Sequence, residues 1–83
     1  MRQIAEFQAH DSYVIRVLFT RDGGTLVTAG MDNLIRLWSL SGWRLVRAFE
    51  GHENSVNAIA LTPDETRLVS ASTDKRVRGW IVE

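Results

Sequence analysis

Cysteine is absent from this sequence of 83 residues, and proline occurs only once. Without cysteine the chain has neither a disulfide framework nor a thiolate metal site. Ten basic residues balance ten acidic ones, so no broad field of one sign attracts nucleic acid or anionic lipid. We therefore expect no cofactor, no metal ion and no nucleic-acid partner.

Long apolar runs are also missing. No run approaches the length of a membrane span, and no signal-peptide core follows the first residues. We expect no membrane association and, because targeting segments are absent, a cytoplasmic location. A domain this short buries only about 60% of the surface that its unfolded chain exposes. With no covalent staple, additional stability has to come from other chains.

What the sequence does contain is one unit of about 42 residues written twice. A single shift, without any gap, superposes the distinctive residues of the two halves. The superposed pairs are His10 with His52, Thr20 with Thr62, Asp22 with Asp64, Asp32 with Asp74, Arg36 with Arg78 and Trp38 with Trp80. Chance does not hold one register across two histidines and two tryptophans.

Each unit is predicted to form a meander of short strands. Apolar and β-branched runs alternate with turn residues such as Asp22-Gly23-Gly24, and no 3.6-residue period is present. The predicted strands are 14–19, 25–30, 34–40 and 43–49, then 56–62, 67–72 and 76–82, with 2–7 as a counterpart of the fourth strand. Because 14–19 is apolar on both faces, we expect it to lie between two layers. Gly79 replaces the large residue Leu37 of the first unit, which predicts close approach of a neighbouring group.

The residues shared by the two units follow a known pattern. In the second unit they are Gly51-His52, Val56, Ile59, Leu61, Pro63-Asp64, Ser70-Ala71-Ser72, Asp74 and Trp80, and the first unit matches through His10, Val14, Val17, Phe19, Asp22-Gly23, Thr28-Ala29-Gly30, Asp32 and Trp38. This pattern resembles the WD40 repeat family over essentially the whole chain. The family's Trp-Asp pair is Trp38-Ser39 and Trp80-Ile81 here, and its Gly-His pair is Ala9-His10 in the first unit.

The resemblance implies an all-β fold of two four-stranded blades of a β-propeller, with the ring completed by other chains. The units would be residues 1–41, with an N-terminal outer strand plus three strands, and residues 42–83. The resemblance also implies a buried hydrogen-bond network in each blade. Its members would be His10, Thr28, Asp32 and Trp38 in the first unit, and His52, Ser70, Asp74 and Trp80 in the second.

Ser70, His52 and Asp74 also match the residue types of a hydrolase triad. No nucleophile elbow or glycine-rich oxyanion loop accompanies them, and the first unit carries Thr28 in place of the serine. We therefore expect no enzyme, with a hydrolase as a remote alternative. Two histidines fall short of the roughly four ligands that a tetrahedral metal site needs.

Partner binding would fall, by the same resemblance, on the loops that enter the innermost strands. The positions are Tyr13, Ile15 and Met31 in the first unit, and Ser55, Asn57 and Thr73 in the second. The first set is apolar with an aromatic side chain, as in an interface anchor, whereas the second is small and polar. The alternative that Ile15 and Met31 merely pack within the blade stack stays open.

The strand order predicts assembly. The chain begins with a fourth strand and ends with a third, so one blade is complete and the other lacks its outer strand. Residues 2–7 would supply that strand to a neighbouring copy. We expect a cyclic homo-oligomer sealed by strand exchange, with four chains favoured and three as the alternative. The predicted function is a self-assembling propeller subunit acting as a protein-interaction scaffold. The alternative is a fragment or engineered propeller piece with no activity beyond assembly.

Overall fold

Seven strands form two antiparallel sheets that pack face to face. The computed structural model describes residues 2–82, and no helix occurs among them. The first sheet, called blade 1, contains β1 (Val14–Phe19), β2 (Thr25–Gly30), β3 (Ile35–Ser39) and β4 (Arg44–Phe49). The second sheet, called blade 2, contains β5 (Val56–Leu61), β6 (Arg67–Ser72) and β7 (Val77–Ile81). The expected all-β fold of propeller blades is confirmed.

Within each blade, every strand after the first pairs with the strand that precedes it, and the side chains in the turns support these connections. After β1, the Asp22 carboxylate accepts hydrogen bonds from the Thr20 hydroxyl and the Gly24 amide, both at 2.8 Å. Gly23 adopts a positive φ of 74° in this turn, which glycine reaches without steric cost. The turn after β5 repeats the arrangement around Asp64. The turn chemistry therefore explains the short connections of both meanders.

The hydrophobic core lies between the two blades. Val27, Ala29 and Ile35 of blade 1 are fully or almost fully buried, and they face Val56 and Leu68 of blade 2, which are also fully buried. Alternate residues of β2 and β6 point into this layer, as the period of two in a strand requires. Each fully buried Val, Leu or Ile contributes about 1.5–3 kcal/mol relative to an exposed one. Docking of the blades therefore supplies most of the apolar stabilisation within one chain.

Residues 2–9 form no strand in this structure. The outer strand expected over 2–7 is absent from the single chain, where this segment lies beside blade 1 and the free edge of β7 belongs to blade 2. The segment is nevertheless placed: the Phe7 ring lies 4.8 Å from the Trp38 ring and 6.0 Å from the Trp43 ring. The N-terminal segment therefore runs beside blade 1.

Each blade leaves one sheet face exposed. β1 was expected between two layers, but only Leu18 packs on the core, whereas Val17 and Phe19 are exposed on the other face. We call this surface the open face of blade 1; it consists of Val14, Val17, Phe19 and Leu26. The open face of blade 2 consists of Ala58, Ala60, Val69, Ala71 and Val77. The close approach expected at Gly79 is wrong, because a Cβ atom there would meet nothing within 4 Å.

Candidate functional site: two hydrogen-bond chains and an exposed loop face

A chain of buried hydrogen bonds crosses blade 1. The Trp38 indole N–H donates to Thr28 Oγ1 at 3.0 Å, and Thr28 Oγ1 lies 2.8 Å from His10 Nε2. His10 Nδ1 lies 2.8 Å and 3.0 Å from the two carboxylate oxygens of Asp32. The structure thus brings together the four residues named for the first unit.

The proton positions follow from satisfying every donor. With its proton on Nδ1, the His10 ring donates to Asp32 and accepts the Thr28 hydroxyl proton at Nε2. The Thr28 oxygen is then free to accept from the Trp38 indole. Every donor in this series of bonds is thus matched with an acceptor. This matters because a buried polar group left unpaired costs about 1–3 kcal/mol.

Blade 2 repeats this series of hydrogen bonds, with serine in place of threonine. Trp80 Nε1–H donates to Ser70 Oγ at 2.8 Å, and Ser70 Oγ lies 2.6 Å from His52 Nε2. His52 Nδ1 lies 2.9 Å from an Asp74 carboxylate oxygen. The tryptophan is held by blade 1 as well, since its ring centroid lies 5.2 Å from that of Phe49. The second chain of hydrogen bonds therefore forms next to the contact between the blades.

Local backbone structure positions these side chains. Thr28 and Trp38 lie on the neighbouring strands β2 and β3, and Asp32 lies in the turn between them. Gly30 leaves room for the contact between His10 and Asp32, because a Cβ atom there would lie 2.7 Å from the histidine ring. Blade 2 has Ser72 at this position, and the Ser72 hydroxyl takes part in the turn by accepting the Asp74 amide at 3.1 Å.

Both carboxylates hold a proton more weakly than usual. Desolvation raises the pKa of Asp74, but hydrogen bonds from His52 and from the Glu53 and Arg76 amides outweigh it and lower the pKa to about 2. The pKa of Asp32 is also lowered, because bonds from the Asp11 amide and the His10 ring exceed the opposing effect of desolvation. The folded protein thus favours two ionised aspartates.

The six residues expected to bind partners lie on loops and strand starts at one end of the blades. Tyr13 is 75% exposed, Met31 is exposed, and Ile15 is half-buried. The Met31 amide donates to the Tyr13 carbonyl at 2.9 Å, which joins the two loops that carry these side chains.

In blade 2 the corresponding loops are joined in the same way. The Thr73 amide donates to the Ser55 carbonyl at 3.2 Å. The Asn57 amide group donates to the Thr73 hydroxyl at 2.8 Å, so part of the polar set is already paired within the chain. The exposed aromatic and apolar set therefore belongs to blade 1 alone.

Sequence comparison decides the family. The model described as "WD domain, G-beta repeat" matches residues 1–39 and 43–80, which is nearly the whole chain. This chain belongs to the WD40 repeat family. Proteins built of WD40 repeats typically act as scaffolds that bind other proteins.

Two curated proteins share single stretches with this WD40 chain. Mitochondrial division protein 1 of Schizosaccharomyces pombe is 36% identical over 39 residues, which are 47% of this chain and 6% of that protein. Uncharacterized WD repeat-containing protein L84 of Acanthamoeba polyphaga mimivirus is 38% identical over 34 residues, 41% of this chain and 26% of that protein. The chain thus spans a small fraction of the length of either relative.

Within residues 2–82, no group of three or more His, Cys, Asp or Glu side chains is arranged to hold a metal ion. No helix in that range is long and apolar enough to cross a membrane. The linkage of Asp74, His52 and Ser70 has the atom order of a hydrolase triad, but Ser70 is 1% exposed and its oxygen accepts from Trp80.

Sequence reasoning missed polar contacts between the blades, among them the bond from the Arg47 guanidinium to the Ile81 carbonyl at 3.3 Å. In the loop after β1, the Arg21 amide donates to a Glu65 carboxylate oxygen at 2.7 Å, and the Arg21 guanidinium donates to the Pro63 carbonyl. We call this contact the loop clasp. The repeat gives no signal for it, because Arg21 corresponds to Pro63 and Glu65 corresponds to Gly23.

Proposed function

We propose that this chain is a self-associating β-propeller subunit and that its assembled ring is a protein-binding scaffold. The observation that carries the proposal is that each open face is the repeat counterpart of a face already buried inside the chain. Val27 is 1% exposed and Ile35 is 0% exposed because blade 2 covers them, whereas their counterparts Val69 and Val77 are 39% and 72% exposed. A second copy of the chain offers the surface that would cover them.

Strand exchange between copies is supported by the position of Phe7. Its ring lies 4.8 Å from Trp38 with an interplanar angle of 52°, and Phe49 of β4 lies 5.2 Å from Trp80 with an angle of 43°. Phe7 thus occupies, beside blade 1, the place that an outer strand occupies beside blade 2. Strand β7 has a free backbone edge in the described chain, and residues 2–7 of a second copy would pair with it.

Blade counts limit the number of chains. Each chain brings two blades, and propellers close with typically about four to eight. Four copies would give eight blades and three would give six; we favour four. The proposed joints are heterologous, because the open face of blade 1 meets the open face of blade 2. Such joints close into a ring when the rotation from one copy to the next closes, as the rotation between propeller blades does.

The exposed set of Tyr13, Ile15 and Met31 is the surface that we propose for partner binding. A large aromatic side chain surrounded by apolar neighbours supplies contact area at low entropic cost. Assembly would repeat this surface once per chain around the ring. We assign the two hydrogen-bond chains a structural role instead, because they are buried and duplicated, and we propose no catalytic activity.

The second candidate is a propeller fragment whose open faces are covered by other WD40 repeats. The small share of the two relatives that this chain matches favours it. Under this hypothesis the chain has no activity of its own beyond docking against neighbouring blades.

The solution mass distinguishes the two candidates. Light scattering should give four, or otherwise three, times the chain mass of 9.4 kDa. Dilution to the monomer should then speed amide hydrogen exchange in residues 2–7, because their strand bonds exist only between copies. The amides of β2, which pair within one chain, serve as the internal control and should keep their protection.

Two results would contradict these proposals separately. A compact monomer at all concentrations would overturn self-association and favour the fragment. A ring in which residues 2–7 exchange as fast as in the monomer would keep self-association but remove strand exchange.

A further inference from the structure

In the proposed assembly, the joint between copies is the contact of the open face of blade 2 with the open face of blade 1 of the next copy. Its residues differ from those of the joint within the chain, where blade 1 packs on blade 2. Within the chain, Leu18 of β1 and Leu61 of β5 both pack against the core between the blades. Their repeat counterparts on the open faces are Ala60 and Phe19. Compared with the two leucines of the joint within the chain, the side chain at Ala60 is smaller and the side chain at Phe19 is larger. The number of carbon atoms lost at Ala60 equals the number gained at Phe19.

The surroundings of Ala60 fit a large partner side chain. A shallow apolar depression on blade 2 is lined by Ala58, Ala60, Val69, Ala71 and Val77. The surface is recessed here because the side chains of Ala58, Ala60 and Ala71 are only methyl groups. In blade 1 the corresponding surface is filled by Leu18 and covered by the other blade, so only the depression on blade 2 is vacant.

Phe19 has the position and the exposure to fill this depression. It is 61% exposed, and in the ladder it lies opposite Leu26, as Leu61 lies opposite Leu68. Leu18 and Leu61 both pack on the core between the blades, and their strands β1 and β5 contact each other. By the repeat, we expect Phe19 of one copy to come close to Ala60 of the next.

Polar groups cannot hold the joint between copies as they hold the joint within the chain. The loop clasp uses the Arg21 amide and the Glu65 carboxylate. At the joint between copies these positions are Pro63, which has no N–H, and Gly23, which has no side chain. The bond from Arg47 to Ile81 has no counterpart there either, because Ala5 takes the place of Arg47. A joint between copies would therefore rely mainly on apolar contact.

We propose that Phe19 is the anchor of the joint between copies and that it sits in the alanine-lined depression of blade 2 in the neighbouring copy. This inference rests on the proposed self-association. It adds that the two joints of the ring differ in chemistry, so the association can be weakened without touching the contact within the chain. Both Phe19 and Ala60 are exposed in the single chain, so their substitution leaves its core intact.

Association is tested with three variants by sedimentation over a dilution series. Phe19→Ala should raise the dissociation constant at least about 30-fold, as expected for a central aromatic anchor. Ala60→Phe fills the depression and should also weaken association. The double variant Phe19→Ala with Ala60→Phe moves the large side chain to the opposite side of the joint and should restore most of the affinity. Val46→Ala removes an exposed apolar side chain that belongs to neither open face and should change nothing.

The outcomes separate the two proposals. A parent chain that stays monomeric overturns self-association and this inference together. A parent that assembles while Phe19→Ala assembles equally well overturns only the anchor. A double variant as weak as the weaker single variant shows that Phe19 and Ala60 do not face each other, which also overturns it. Circular dichroism of the monomers checks that each variant keeps its β-sheet content.

Discussion

The central residue of each hydrogen-bond chain is a hydroxyl that serves two ring systems. Ser70 Oγ lies 2.6 Å from His52 Nε2 and accepts the Trp80 indole at 2.8 Å. Thr28 does the same in blade 1. One small side chain thus satisfies two large ones, and removing it leaves two buried polar atoms without a partner.

Ser70→Ala should therefore lower the free energy of unfolding by about 1–3 kcal/mol, measured by urea denaturation at one fixed protein concentration. Ser70→Thr is the matched control, because it retains the hydroxyl and blade 1 holds a threonine in the same place. The control should lose markedly less stability than the alanine variant. Equal stability of the parent and Ser70→Ala would show that the hydroxyl is not needed.

Acid should destabilise the protein through Asp74. Its pKa is about 2 when folded and 3.8 ordinarily, so the unfolded chain binds the proton more readily. This contribution to stability is present above about pH 4 and is lost as the pH falls from about 4 to 2. The thermal midpoint should fall over that window. Asp74→Asn should start from a lower midpoint and fall less, and an identical slope in both proteins would contradict this assignment.

At the scale of the strands, the two innermost strands carry an irregularity that re-aims side chains. The register shifts between Val14 and Arg16 in β1 and between Val56 and Ala58 in β5. Ile15 and Asn57 are the residues within these shifts, and both were singled out as partner-binding positions. A β-bulge bends its strand and turns a side chain out of the regular alternation. The bulges in the backbone therefore explain why the side chains of Ile15 and Asn57 can point toward the proposed binding surface.

Peptides selected from a display library on the assembled protein should bind through this surface. Tyr13→Ala should weaken them at least about tenfold, since aromatic anchors dominate small interfaces. Val46→Ala, an exposed apolar change on the outer strand β4, is the matched control and should leave binding unchanged. Peptides that bind the Tyr13→Ala variant as well as the parent would favour the alternative that Ile15 and Met31 only pack within the blade stack.

The elements also show what a sequence can and cannot predict. The strands could be predicted to within one or two residues, because β-branched runs and turn residues are local signals. The members of each buried hydrogen-bond network could be predicted, because a histidine, a hydroxyl residue, an aspartate and a tryptophan recur at the same spacing in both units. The bulges at Ile15 and Asn57 and the loop clasp of Arg21 with Glu65 could not, because they depend on how strands and blades meet in space.

For the whole molecule, the main difference between expectation and structure lies in what one chain can bury. Apolar residues on both faces of β1 predicted two covering layers, and a single chain supplies one. Under the proposed strand exchange, residues 2–7 form no strand in one chain because the strand that they would pair with is β7 of another copy. Residue patterns record the neighbours that a surface is adapted to, whether or not those neighbours belong to the same chain.

The meander order of both blades has a consequence for how the chain is made. Within each blade, every strand after the first pairs with the one synthesised immediately before it, so its partner already exists when it leaves the ribosome. Contacts between near neighbours in sequence form quickly, because little loop entropy is lost in closing them. We expect blade 1 to be complete before β7 emerges. Blade 2 would then fold against a blade 1 that is already formed. The contact between the Trp80 ring and the Phe49 ring would be among the last to form.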